Sequence, residues 1–249
     1  MTEARLDSKV ALVTGAARRV GAAIARRLHA AGASVVLHYR SAEGQAAQLE
    51  KELNAARPGS ALRVKADLLA PIAAQALVGA AQQRFARLDI LVNNASAFYP
   101  TRLGEIEASH WEELIGSNLR APLFLSQAAA PALSLAGGAI VNLVDIHAER
   151  PLKDYVVYSV AKAGLAALTR SLALELAPAV RVNGVAPGAI AWPEDGQFAG
   201  DERRRIVATT PLGRTGTAEE VAQAVHFLAT ATFVTGQVLA VDGGRSVFL

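Results

Sequence analysis

The chain has 249 residues and a formal net charge of +3, with 52% hydrophobic and 19% charged residues. That is enough apolar material for one sizeable core, and a charge too small and too scattered to argue for a nucleic-acid partner. Cysteine is absent, which removes disulfides, thiolate nucleophiles and cysteine metal sites. The polar start from Met1 to Lys9 carries no apolar signal region and no apolar run is long enough to span a bilayer, so the expectation is a cytoplasmic protein with no membrane partner.

Val10-Ala11-Leu12-Val13 is a short apolar run followed by Thr14-Gly15-Ala16-Ala17-Arg18-Arg19-Val20-Gly21. A helix-period segment runs from Val20 to Ala31, and Ser34 to Tyr39 is a second β-branched run. Strand, glycine turn, helix and strand make a βαβ unit. Gly15 permits the tight turn, Gly21 lets the helix pack close to the strand, and the N–H groups at the helix start suit a phosphate. The middle glycine of a dinucleotide loop is missing, and Arg19 stands in its place. The second strand ends Tyr39-Arg40-Ser41, where an enzyme selecting NAD carries an acidic residue for the ribose 2′-hydroxyl. A guanidinium and a hydroxyl suit a 2′-phosphate, with Arg18 as a second positive group, so the expected cofactor is NADPH.

Further along, Gly44–Ala56 reads as a helix, Ala61–Lys65 as the third strand, about Ala70–Ala86 as a helix and Asp89–Val92 as the fourth strand. Asp67, after the third strand, suits either an adenine amino group or a helix cap. Asn93 and Asn94 follow a buried strand and need hydrogen-bond partners there, in the sheet or at the cleft. Glu105–Ser117 reads as a helix continuing to Ala130, with Asn118 inside it as a poor interior residue that points to a kink or a functional water. Ala139–Val144 is the fifth strand, Tyr158–Ala177 a helix and Val180–Val185 the sixth strand. Ala189–Thr210 reads as an irregular lid or substrate loop containing Trp192. Thr217 caps a helix to about Thr230, and the run through Val241 is the last strand. Seven strands alternating with helices predict a single α/β domain over residues 1–249, of the doubly wound Rossmann type, with parallel strands and helices on both faces.

Tyr158 and Lys162 are four apart and share one helix face. An ammonium beside the phenol favours the phenolate, so Lys162 is expected to lower the Tyr158 pKa and make Tyr158 a proton donor near neutral pH. Asp145, at the end of the fifth strand, completes a proton path into the same cleft.

Thr14-Gly15, Asp67, Asn93-Asn94-Ala95, Asn118, Tyr158-Ser159-Val160-Ala161-Lys162, Pro187-Gly188 and Asp242-Gly243-Gly244 together resemble the short-chain dehydrogenase/reductase family over essentially the whole chain. The resemblance implies that Tyr158 is the general acid/base, that Lys162 lowers its pKa and binds the nicotinamide ribose, and that Asn118 holds a proton-relay water. It also implies a homotetramer, with the helices around Asn118 and from Tyr158 to Ala177 forming the larger contact. Two departures narrow the choice. Asp145 stands where most members have serine, and Thr-Gly-Ala-Ala-Arg-Arg-Val-Gly replaces the glycine-rich pattern. Both are similar to the pteridine reductases, as are Leu37 to Ser41 and Asn93 to Thr101. That resemblance implies that Arg19 contacts cofactor phosphate and pterin, that Phe98 stacks the pterin against the nicotinamide, and that Asp145 works with Tyr158 in protonation.

The candidate catalytic residues are therefore Asp145, Tyr158, Lys162 and Asn118. The candidate cofactor site comprises Gly15, Arg18, Arg19, Val20, Tyr39, Arg40, Ser41, Asp67, Leu68, Asn94, Ala95, Ser96, Tyr158, Lys162, Pro187 and Gly188. The candidate substrate site comprises Arg19, Ser96, Phe98, Asp145, Tyr158 and Trp192. The expected activity is NADPH-dependent hydride transfer to a pterin ring, that of a dihydropterin, with an oxidised pterin or dihydrofolate as further candidate substrates. A carbonyl or 3-oxoacyl reductase of the same family and a non-catalytic NADPH-binding sensor are the competing readings.

Overall fold

A computed structural model describes residues 4–190 and 200–248. The chain runs β1 (Val10–Val13), α1 (Arg19–Ala30), β2 (Ser34–Tyr39), α2 (Glu43–Ala56), β3 (Ala61–Lys65), α3 (Ala73–Phe85) and β4 (Ile90–Asn93). It continues α4 (Ala108–Ile115), a π-helical turn at Gly116–Arg120, α5 (Ala121–Ala136), β5 (Ala139–Leu143) and a short 3-10 turn at Ile146–Ala148. α6 (Val156–Glu175), β6 (Arg181–Pro187), α7 (Gly200–Ala208), α8 (Ala218–Thr230), β7 (Val238–Val241) and α9 (Arg245–Phe248) complete it. All seven strands are parallel and lie in the order β3-β2-β1-β4-β5-β6-β7. This is the doubly wound α/β sheet expected, and its strand order reverses between β1 and β4.

Strand side chains alternate between two apolar layers, as a period of two requires. Ala11, Val13, Val35, Leu37 and Val92 pack with α1, α2 and α8 residues such as Ile24, Leu28, Leu49 and Val225. Val10, Leu12, Val36, Leu91 and Ile140 pack on the opposite face with Leu77, Leu125 and Leu133 from α3 and α5. Both sheet faces are covered, which is why the strands read as continuous apolar runs rather than as alternating ones.

Polar side chains inside this sandwich pair with one another, although Asn93 Oδ1 accepts nothing among the described residues. Asn93 Nδ2 donates to Asn142 Oδ1 at 2.8 Å, and Asn142 Nδ2 donates to Thr169 Oγ1 at 2.9 Å, linking β4, β5 and α6. Thr217 caps α8 as expected: its hydroxyl accepts from the Glu220 N–H, and Glu220 accepts from the Thr217 N–H at 2.8 Å.

Two expectations change. The helix expected over Glu105–Ser117 is shorter, Ala108–Ile115, and Asn118 lies in a π turn instead of a continuous α-helix. The stretch expected to be irregular from Ala189 to Thr210 contains α7, whose Asp201 and Glu202 lie in the first turn, where carboxylates favour helix formation. Among the described residues, no helix is long and apolar enough to cross a membrane.

Candidate active site

A cleft of about 560 Å³ opens at the carboxyl ends of the strands, over the reversal between β1 and β4. That is where an open α/β sheet binds ligands, because the flanking connections diverge to opposite faces. One end is built by the β1–α1 turn. Gly15 has φ +62°, and the next glycine, Gly21, has no room for a side chain: a Cβ there would lie 2.1 Å from the Gly15 carbonyl oxygen. Arg19 takes φ +50°, so it keeps the left-handed backbone of the glycine it replaces. The Arg18 cap of α1 makes no side-chain hydrogen bond to the helix start, so no side chain closes the N–H groups that favour an anion. These features fit a dinucleotide pyrophosphate.

The turn is held from behind. Thr14 Oγ1 donates to the Val92 carbonyl and accepts from the Asn94 and Ala95 N–H groups at 2.9 and 3.0 Å. Asn94 Nδ2 donates back to the Thr14 and Gly15 carbonyls at 2.8 and 3.1 Å. The Gly15 N–H donates to His38 Nδ1 at 3.1 Å, while His38 Nε2 lies 3.1 Å from the Ala66 carbonyl. His38 is therefore neutral with its proton on Nε2, and burial lowers its pKa below the ordinary 6.5.

Tyr39, Arg40 and Ser41 border the cleft at the end of β2, and Asp67 and Leu68 at the end of β3. Of the two roles open to Asp67, the structure shows a local one: Oδ1 accepts from the Leu69 N–H at 3.0 Å. Arg40 Nη1 lies 3.7 Å from Glu113 of α4, with both side chains well exposed, so solvent keeps that pairing weak. Val20, Ala95, Ser96, Pro187 and Gly188 complete the expected cofactor lining, all on the cleft wall.

The other end is built by β5 and α6. Tyr158 donates its hydroxyl to Asp145 Oδ2 at 2.7 Å, and Asp145 Oδ1 accepts from the His147 N–H at 2.8 Å. Lys162 donates from Nζ to the Leu143 carbonyl at 2.7 Å and stands 5.7 Å from the Tyr158 ring centre. This corrects the expected electrostatics. Tyr158 is held well above its ordinary pKa of 10.0, first by burial and then by the charge and hydrogen bond of Asp145. Lys162 falls to about 8, because burial outweighs the favourable charge of Asp145. The proton is thus held on the phenol, poised against a carboxylate. Phe98 lines the cleft beside this pair, stacked on Tyr155 at 4.6 Å and edge-on to Tyr158 at 4.8 Å.

Asn118 stands behind the cleft wall, not on it. Its Nδ2 donates to the Ala97 and Leu114 carbonyls, both at 2.9 Å, where the widened π turn leaves the Leu114 carbonyl accessible to it. Its buried Oδ1 accepts nothing among the described residues. Trp192 lies outside the described residues. The structure adds Glu202, Arg205 and Ile206 of α7 and Arg245 of α9 to the lining. The Gly243-Gly244 turn after the last strand was the available signal for Arg245, since strand-end turns face the ligand; the α7 residues gave none.

The family model described as enoyl-(acyl carrier protein) reductase matches residues 15–246. With this coverage, and with the fold and cleft above, the chain belongs to the short-chain dehydrogenase/reductase family, oxidoreductases whose reductases use a nicotinamide cofactor. Pteridine reductase 1 of Leishmania tarentolae is 41% identical, across 96% of each chain. Granaticin polyketide synthase putative ketoacyl reductase 2 of Streptomyces violaceoruber is 40% identical, again across 96% of each. 3beta-hydroxysteroid dehydrogenase 1 of Eggerthella lenta is 36% identical, across 98% of this chain and 95% of that one.

The His38 geometry sets a pH dependence. Its folded pKa is depressed, so its contribution to stability is complete above pH 6.5 and is lost as pH falls below that value. Urea unfolding at pH 7.5 and 5.5 should show His38→Gln losing less stability on acidification than the wild type, because the substituted amide does not titrate. Equal losses would remove His38 from the titration.

Proposed function

We propose that the enzyme is an NADPH-dependent pterin reductase, converting a dihydropterin to a tetrahydropterin, with oxidised pterin or dihydrofolate as further substrates. One observation carries this reading: a carboxylate, Asp145, accepts the Tyr158 hydroxyl proton at 2.7 Å on the cleft floor. Asp145 would face a ketone oxygen unfavourably. It suits the N–H-bearing, guanidine-like edge of a pterin, which a serine hydroxyl would hold less well. The likeness to pteridine reductase 1 supports the same reading.

NADPH supplies the hydride when bound. The chain's residues do the rest. Gly15, Arg18, Arg19 and the start of α1 would hold the pyrophosphate. Arg18, Arg40 and Ser41 would receive the 2′-phosphate, with Asp67 and Leu68 at the adenine and Asn94, Ala95, Ser96, Pro187 and Gly188 toward the nicotinamide. Phe98 would lie against the flat pterin ring and keep water from its face. Arg19, Ser96, Asp145, Tyr158 and Trp192 would complete the substrate site. Reduction of a ring C=N bond places hydride on carbon and a proton on nitrogen. Tyr158 would donate that proton, with Asp145 binding the ring edge and relaying its replacement. Lys162 would keep positive charge beside the donor and reach the nicotinamide ribose. Asn118 would anchor the relay through its unpartnered Oδ1.

The enzyme would act as a homotetramer in the cytoplasm. Exposed Trp111, Phe124, Val156 and Val160 on α4, α5 and α6 support an apolar contact of those helices with a second copy. A monomer mass in light scattering would remove it.

The first test is NADPH oxidation with 7,8-dihydrobiopterin, 7,8-dihydromonapterin and 7,8-dihydrofolate against a 3-oxoacyl thioester. Turnover of a pterin without the thioester is expected. Turnover of the thioester alone would favour the ketoacyl reading, which the 40% identical polyketide relative keeps open. Binding of NADPH with no turnover would favour a sensor. Tyr158→Phe should lower kcat at least about 100-fold with NADPH affinity retained. Arg40→Ala should weaken NADPH about tenfold and leave NADH nearly unchanged; equal effects would mean that Arg40 does not read the 2′-phosphate.

A further inference from the structure

The outer rim of the cleft carries charge that the proposed reaction does not use. Arg205 of α7 and Arg245 of α9 both line it, on elements that meet only in the folded chain. Arg245 is set in place: its Nη1 donates to the Ile206 carbonyl at 2.9 Å and to Thr209 Oγ1. That leaves its Nη2 and Nε without a hydrogen bond among the described residues. Asp242 acts on Arg245 through its charge, in the opposite sense to Arg205, but its carboxylate accepts from the Gly244 and Ser246 N–H groups at 2.9 and 2.7 Å and makes no hydrogen bond to the guanidinium among the described residues. Arg205 is exposed, and its guanidinium has no ion pair among the described residues. The two cations are close enough that Arg205, after burial, helps hold the Arg245 pKa below its ordinary value. Glu202, one turn before Arg205, is the carboxylate on the same rim.

Two like charges brought together at the mouth of a cleft repel unless an anion sits between them, and a guanidinium with free donors binds a carboxylate or phosphate through charge-assisted bonds. We infer that Arg205 and Arg245 form an anion subsite at the outer end of the cleft, taking a substrate whose far end carries a carboxylate or a phosphate. The inference rests on the proposed pterin reading, which puts the ring beside Phe98, Asp145 and Tyr158 in the cleft that Arg205 and Arg245 also line. Glu202 tunes the subsite by opposing the same anion. Carboxylate and phosphate share the chemistry, and the choice between them falls to substrate comparison.

The test compares kcat/KM for three dihydropterins: 7,8-dihydrobiopterin, with a neutral side chain; a 7,8-dihydroneopterin phosphate monoester; and 7,8-dihydrofolate, with terminal carboxylates. Arg205→Ala should lower kcat/KM about tenfold for one or both anionic substrates, through KM, and stay within about twofold for the neutral one. Glu202→Gln should move the same substrates in the opposite direction. The anionic substrate that responds identifies the source of the charge. The Arg205 side chain is exposed and has no ion pair among the described residues, so melting temperature should be unchanged and loss of folding does not confound the result. Equal changes for neutral and anionic substrates, with pterin turnover intact, would overturn the subsite while leaving the pterin reading standing. A wild type that reduces none of the three would overturn both.

Discussion

The hydrogen-bonded knot at the reversal of strand order is the constraint on which the cleft depends. Thr14 and Asn94 stand at the ends of β1 and β4, whose flanking helices leave in opposite directions. Between them they satisfy the carbonyls of Thr14, Gly15 and Val92 and the N–H groups of Asn94 and Ala95. His38 adds β2 by taking the Gly15 N–H, and reaches β3 through the Ala66 carbonyl. A backbone group left unpaired away from water costs about 1–3 kcal/mol. Because side chains satisfy the backbone from behind, the N–H groups at the start of α1 remain available on the cleft side. The fold thus leaves donors on the cleft side while pairing the backbone groups of this turn from behind.

The opposite end of the cleft obeys a different balance. Tyr158 and Lys162 are both buried, and burial opposes the charged form of each. Asp145 acts on them in opposite senses, disfavouring the phenolate and favouring the ammonium. The result is a protonated phenol hydrogen-bonded to a carboxylate, beside a lysine anchored to the Leu143 carbonyl. A serine at position 145 would accept the same hydrogen bond without the negative charge. The aspartate therefore adds a negative charge beside the phenol and holds the proton on it more firmly than a serine would.

How much of this was legible follows from which signals are local. The seven strands were readable because sheets buried on both faces demand apolar runs, and Val10–Val13, Ile90–Val92 and Ala139–Leu143 have no other place to go. Asn118 announced an irregularity because asparagine suits a helix interior poorly, and the irregularity is a π turn. The Tyr158–Lys162 spacing correctly put both residues on one face, but spacing does not say which acceptor the ammonium reaches. The ammonium reaches the Leu143 carbonyl on β5, while burial and then Asp145 set the tyrosine shift and reverse its expected direction. His38 gave no sign of its role, since its two partners come from separate turns. Arg205 was missed for a similar reason: α7 is brought to the cleft by tertiary contacts, among them those of Arg245 with Ile206 and Thr209.

Arg19 shows the local rules breaking in an informative place. A left-handed backbone at a non-glycine residue costs on the order of 1–3 kcal/mol, and the chain carries one at φ +50° where the β1–α1 turn enters the helix. Glycine would remove the strain and keep the turn. The arginine brings a guanidinium to the cleft wall at the point nearest the start of α1. The turn that holds this strain is tied from behind by Thr14, Asn94 and His38, so an arginine in place of glycine changes the charge on the cleft wall and leaves the left-handed turn in place.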